Sequence, residues 1–140
     1  MRQLQVPKRL VDGQILVVDE DADDLKFYRY VLESLGFKIY SCTSYEAGVE
    51  CLENEQFDFV LVSQGSPAFE GLKVLHRALQ MDRHRAVLVV TRCVHMPCYL
   101  EAMQMGAVDY LEKPVPRKVL LRLAQTYLQN PKAGLRRIAA

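Results

Sequence analysis

Residues 14–24 read QILVVDEDADD, a short apolar run that breaks into six residues of which five are acidic. Four apolar residues in a row, Ile15 to Val18, are how a strand buried on both faces looks, and such strands belong to parallel sheets covered by helices. Working outward, Leu25, Tyr28, Leu32 and Leu35 recur at helical spacing and Gly36 ends that helix. FKIYSC at 37–42 reads as a second strand. Thr43 and Glu46 form a capping box that opens a helix burying Val49 and Leu52. FDFVLV at 57–62 is a third strand, and Gly65, Pro67 and Gly71 punctuate the loop after it. Leu72, Leu75 and Leu79 mark a third helix, and AVLVV at 86–90 a fourth strand. Pro97 suits the first turn of a fourth helix closed by Gly106. AVDYL at 107–111 is the fifth strand, and Pro116 opens a last helix carrying Leu120, Leu121, Ala124 and Leu128.

Five strand–helix units with short connections predict an α/β fold, a parallel sheet with helices on both faces. The chain has 140 residues, enough for one domain. The expected organisation is an N-terminal extension over 1–13, the domain over 14–129, and a flexible basic tail over 130–140. Half of the residues are hydrophobic and 25% are charged, which excludes a disordered tail, a collagen-like rod and a disulfide miniprotein. No apolar run reaches the ~20 residues of a membrane helix, and MRQLQVPKRL lacks the apolar segment of a signal peptide. A cytoplasmic protein is the expectation, with no membrane partner. The four cysteines (Cys42, Cys51, Cys93, Cys98) are then expected as reduced thiols.

The net charge of +1 is unevenly spread. Residues 1–112 hold eleven bases and seventeen acids, whereas residues 113–140 hold seven bases and no acid. A basic outer face on the last helix accounts for this better than nucleic acid, because no nucleic-acid-binding motif accompanies it.

In such sheets ligands sit beyond the carboxyl ends of the strands. There stand Asp19 and Glu20 after strand one, Ser63 at the end of strand three, Thr91 after strand four, and Lys113 followed by Pro114 after strand five. Asp19 and Glu20 are paired carboxylates suited to a hard cation such as Mg²⁺. Asp21, Asp23 and Asp24 read more simply, as acids at a helix N-terminus.

These residues carry a resemblance. ILVVDED at 15–21, FDFVLV at 57–62, P-x-x-E-G at 67–71, VLVVT at 87–91 and GAVDYLEKP at 106–114 resemble the receiver domains of bacterial two-component response regulators, such as CheY, in order and spacing over residues 14–129. The resemblance implies a flavodoxin-like (CheY-like) three-layer α/β/α sandwich with strand order 2-1-3-4-5 and five helices. It implies Mg²⁺ on Asp19, Glu20 and the carbonyl of Gly65, phosphoryl contact by Thr91 and Lys113, a rotamer switch at Tyr110, and a cis bond between Lys113 and Pro114. It implies no catalytic residues of an enzyme. It also implies protein partners on the face made by helix four, strand five and helix five, with a homodimer through the same face.

The family's phosphoacceptor is an aspartate ending strand three; here that position is Ser63. Asp58 is no substitute, because it opens the strand and sits at the opposite end of the sheet. A carboxylate is already a nucleophile at neutral pH, whereas a serine hydroxyl needs an adjacent base. With two carboxylates in place of three, Mg²⁺ binding should weaken. Arg92 follows Thr91 where the family has a small residue; its guanidinium either covers the crevice, joins Lys113 in an anion site, or turns to solvent.

Three readings follow. The first is a pseudo-receiver of the two-component (phosphorelay) class, acting as a protein-interaction module without phosphorylation. In the second, Ser63 itself takes a phosphoryl group from a serine/threonine kinase or a small phosphodonor. The third is metal or redox sensing through Cys93, His95 and Cys98, ligand types for Zn²⁺. His76 and His84 read as surface residues. Residues 130–140 are too short and aperiodic to fold, so output is expected through a partner, or through a further domain if the chain is part of a longer protein.

Overall fold

The computed structural model describes residues 13–129. The expected extension over 1–13, apart from Gly13, and the expected tail over 130–140 lie outside the described residues. The five strands are β1 Gln14–Val18, β2 Lys38–Cys42, β3 Phe59–Ser63, β4 Ala86–Thr91 and β5 Asp109–Glu112. The helices are α1 Ala22–Glu33, α2 Tyr45–Asn54, α3 Leu72–Met81, α4 Met96–Met105 and α5 Arg117–Ala124, the last continued by a π turn over Gln125–Gln129. All strand pairs are parallel and the order is 2-1-3-4-5, so the flavodoxin-like sandwich is the observed fold.

Strand alternation divides the core in two. Ile15, Val17, Phe59, Leu61, Leu88 and Val90 face α1 and α5, where they meet Leu25, Leu32, Leu120 and Leu128. Leu16, Val18, Val60, Val62, Val87 and Val89 face α2, α3 and α4, where they meet Leu52, Leu75 and Ala102. Every residue of β3 and β4 is buried, as their unbroken apolar runs require. No helix of the described residues is long and apolar enough to cross a membrane.

Local expectations hold with three shifts. Strands two, three and five begin one to two residues later than expected. Phe37, Phe57 and Ala107 are buried but precede the ladder. Helix α2 is capped by Ser44, not Thr43: Ser44 has the extended backbone of an N-cap and its hydroxyl accepts the Ala47 N–H at 3.1 Å. Leu121 is only partly buried, and α5 turns inward on Leu120 and Ala124. Gly106 closes α4 in the left-handed conformation, as expected. The Lys113–Pro114 bond is cis.

Candidate functional site

β1 lies between β2 and β3, the point where strand order reverses, and the pairing of Val18 with Val62 sets Asp19 beside Ser63. β4 on the other side pairs Val90 with Ser63, and Thr91 with Glu112 of β5. The carboxyl ends of four strands thus open on one crevice of about 320 Å³, lined by Asp19, Glu20, Asp21, Ser63, Gly65, Arg92 and Lys113. Asp58, by contrast, sits at the far end of the sheet, where its carboxylate accepts the Gln14 N–H at 2.9 Å.

Asp19 is 1% exposed. Its Oδ2 accepts from Lys113 Nζ at 2.7 Å, and its Oδ1 accepts the Asp21 N–H at 2.9 Å. Lys113 also donates to Asp24 Oδ2 at 2.9 Å. Arg92 donates to Asp21 and, at 3.1 Å, to Asp24. Asp24 is therefore more than a helix-terminal acid: it joins two cations from the β4 and β5 ends to the start of α1. Asp21 has the simpler role expected of it, as N-cap of α1 accepting from the N–H groups of Asp23 and Asp24. The Asp24 N–H holds the Asp21 carboxyl below its ordinary range, with the Asp23 N–H, Arg92 and Lys113 adding and burial opposing. Arg92 stands at the crevice rim with its side chain 63% exposed, its guanidinium bonded to the Asp21 and Asp24 carboxylates.

Ser63 is buried at 4% exposure, and its Oγ accepts the Gly65 N–H at 3.3 Å. The loop after it folds back tightly. Gly65 has φ +85°, and a Cβ there would collide with the Glu70 carboxylate and stand 3.0 Å from the Tyr45 hydroxyl. Glu70 anchors this loop by accepting the Ser66 N–H at 2.7 Å. Tyr45, which the sequence did not single out, brings a buried hydroxyl without a hydrogen-bond partner to this corner. Burial pushes its pKa up, with Ser63 opposing and the charges of Glu20 and Asp19 adding.

Thr91 and Tyr110 do not line the crevice. The Thr91 hydroxyl donates to the Cys93 carbonyl at 2.9 Å and accepts the Cys93 N–H at 3.2 Å. The Tyr110 ring is buried, its hydroxyl donating to Gln64 Oε1 and accepting the His95 N–H at 3.1 Å. Gln64 is the second residue missed. A second polar side chain, next to Ser63 at the end of an apolar strand, was its only signal, and it is 1% exposed. Of the Cys93, His95 and Cys98 group, the structure joins two: His95 Nδ1 lies 3.2 Å from Cys98 Sγ, while Cys93 is exposed. Burial pushes the Cys98 thiol up.

Among the described residues no three His, Cys, Asp or Glu side chains converge as a metal site. A divalent cation fits the crevice poorly. Asp19 has both oxygens engaged and Ser63 contributes no charge, which leaves Glu20 as the second carboxylate of the pair expected for the cation.

The comparisons agree with this architecture. The family model for the response regulator receiver domain matches residues 15–125. The transcriptional regulatory protein FixJ of Bradyrhizobium diazoefficiens is 31% identical over 102 residues, 73% of this chain and 50% of FixJ. The alginate biosynthesis transcriptional regulatory protein AlgB of Pseudomonas aeruginosa is 32% identical over 102 residues, 73% of this chain and 23% of AlgB. Among solved structures, a CheY-like receiver domain protein from Methanospirillum hungatei superposes with a TM-score of 0.79 at 26% identity, covering 86% of this chain and 97% of that one. A Burkholderia pseudomallei response regulator, solved with a phosphorylated aspartic acid, calcium ion and citrate, has a TM-score of 0.72 at 21% identity, covering 92% and 74%. The chain belongs to the response regulator receiver domain family, the signalling modules of two-component systems. It spans half or less of the length of FixJ and AlgB.

Proposed function

We propose that this receiver signals in the cytoplasm without an aspartyl phosphate, as a protein-interaction module. The observation that carries the reading is Ser63 at the end of β3, in the position of the family's phosphoacceptor. Its hydroxyl is buried, accepts a backbone N–H, and has no histidine beside it to act as base. The charges around it are already matched, since Lys113 is committed to Asp19 and Asp24. The Mg²⁺ site is weakened by the same substitution. Thr91 and Lys113 keep the positions of phosphoryl contacts, but each is satisfied by the protein's own groups.

The switch aromatic is in a similar state. Tyr110 is held inward by Gln64 and the His95 backbone, so no phosphoryl group is needed to keep it there. Partners would dock on the α4–β5–α5 face, where Val94, Met96 and Leu100 leave large apolar side chains exposed on and just before α4. A homodimer would use the same face.

The test is intact mass after incubation with Mg²⁺ and acetyl phosphate, beside the Ser63→Asp variant. The expected result is a phosphoryl adduct on the variant alone. An adduct on the native chain would overturn the reading, and mapping it would decide between Ser63 and an acid.

A further inference from the structure

Two of the four thiols are in contact. Cys42 ends β2, the edge strand of the sheet, and Cys51 lies in α2, which packs back over that edge. Their sulfurs stand 3.4 Å apart, close enough to share a hydrogen. The two differ in exposure. Cys42 is 8% exposed within the core on the α2 side, whereas Cys51 is partly buried at its margin. Disulfide formation demands side chains that point at each other across a short span, and this pair already meets that demand. Cys93 and Cys98 make other contacts: the Cys93 backbone is bound to Thr91, and the Cys98 sulfur faces His95 and the Pro67 carbonyl.

We propose that Cys42 and Cys51 form a reversible two-electron oxidation site, closed to a disulfide by an oxidant of the peroxide class. Cys51, the more accessible sulfur, reacts first. Its thiolate attacks one oxygen of hydrogen peroxide, the O–O bond breaks, and hydroxide leaves and takes up the thiol's proton as water. Cys51 is then a sulfenic acid. The Cys42 sulfur attacks Cys51, the S–S bond forms, the S–O bond breaks, and the hydroxyl leaves with the Cys42 proton as a second water. Two thiols and one peroxide give one disulfide and two waters. The order of events fits the environment of Cys42. Cys42 is buried within the core, so peroxide meets the more exposed Cys51 first, and the Cys42 sulfur already in contact with it closes the bond.

The bond would staple the edge strand to α2. Two contacts lead from that staple toward the crevice: the Cys42 carbonyl accepts the Asp19 N–H at 3.1 Å, and α2 begins with Tyr45. The proposal does not depend on the role of Ser63.

The test is to treat the fully reduced chain with hydrogen peroxide, block residual thiols, and record intact mass and a non-reducing peptide map. The expected result is loss of two hydrogens with a Cys42–Cys51 linked peptide, reversed by dithiothreitol and retained in a Cys93→Ser/Cys98→Ser double variant. Cys42→Ser should instead accumulate a dimedone-reactive sulfenic acid at Cys51. Absence of the linked peptide from the native chain, or a bond that uses Cys93 or Cys98, would overturn the proposal. The native peptide map decides alone if Cys42→Ser does not fold.

Discussion

Tyr110 and Gln64, forty-six residues apart in sequence, share a buried hydrogen bond in which the tyrosine hydroxyl donates to the glutamine carbonyl oxygen. Gln64 is itself pinned, its N–H donating to the Val90 carbonyl at 2.7 Å and its carbonyl accepting from Gly71 at 3.0 Å. The same tyrosine hydroxyl accepts the His95 N–H just before α4, and its ring meets Tyr99 edge-on with centroids 5.5 Å apart. The aromatic is thus fixed by the Gln64 side chain just after β3 and by the backbone at the start of α4 together.

Removing the hydroxyl with Tyr110→Phe leaves Gln64 Oε1 and the His95 N–H unpaired. Buried groups stranded in this way cost about 1–3 kcal/mol. The expected outcome in urea denaturation is a loss of that size, with faster amide exchange at His95. A variant as stable and as well protected as the native chain would show that the bond holds nothing in place.

Lys113 and Asp19 form the most enclosed ion pair of the crevice, their side chains 7% and 1% exposed. Lys113→Met strands the Asp19 charge, and breaking a buried pair from one side costs roughly 3–5 kcal/mol. Adding Asp19→Asn removes the stranded charge, so the double variant should regain much of the loss. Equilibrium unfolding of both variants measures the difference. Simple additivity of the two substitutions would contradict a coupled pair.

Divalent cation affinity depends on ligand charge. With Ser63 in place of a carboxylate, Mg²⁺ should bind the native chain more weakly than Ser63→Asp, by on the order of tenfold or more. Isothermal titration of the two proteins reads this directly. Equal affinities would mean that Ser63 is not what limits the site.

Asp21 gives a pH dependence whose sign is set. Its carboxyl is held below the ordinary value of 3.8 in the folded chain, first by the Asp24 N–H. A depressed carboxyl contributes stability above its ordinary value and loses it as pH falls through the folded value. Asp21→Asn keeps a good N-cap but drops the charge. Native protein should therefore melt above Asp21→Asn near neutrality, and the gap should close in acid below 3.8. A gap that persists there would assign the difference to something other than the carboxylate.

Much of this molecule is legible in the order of its residues. ILVV, FVLVS and AVLVVT are buried throughout because both faces of a central parallel strand need apolar side chains. Gly106 marks a helix end because its φ of +116° is open chiefly to glycine. The residues that follow the strands must meet at one edge, since all strands point the same way, and so Asp19, Ser63 and Lys113 could be named together. Where two signals stood side by side, sequence was not enough. Thr43 and Ser44 both carry a capping hydroxyl, and only the backbone angles at Ser44 choose between them. Likewise β3 enters its ladder at Phe59 because Asp58 spends its N–H and carboxylate on Gln14.

What only the tertiary structure decided is which charge meets which. Asp24 is one of five acids in a six-residue run, and its selection by Lys113 and Arg92 depends on how α1 leans over the ends of β4 and β5. Gln64 and Tyr110 find each other, as do Cys42 and Cys51, through packing of helices on the sheet. Residue order determines the layers through the periodicity of burial, which is local and repeated. Pairings across the crevice are single, long-range events, settled by distances of a few ångströms that no local pattern encodes.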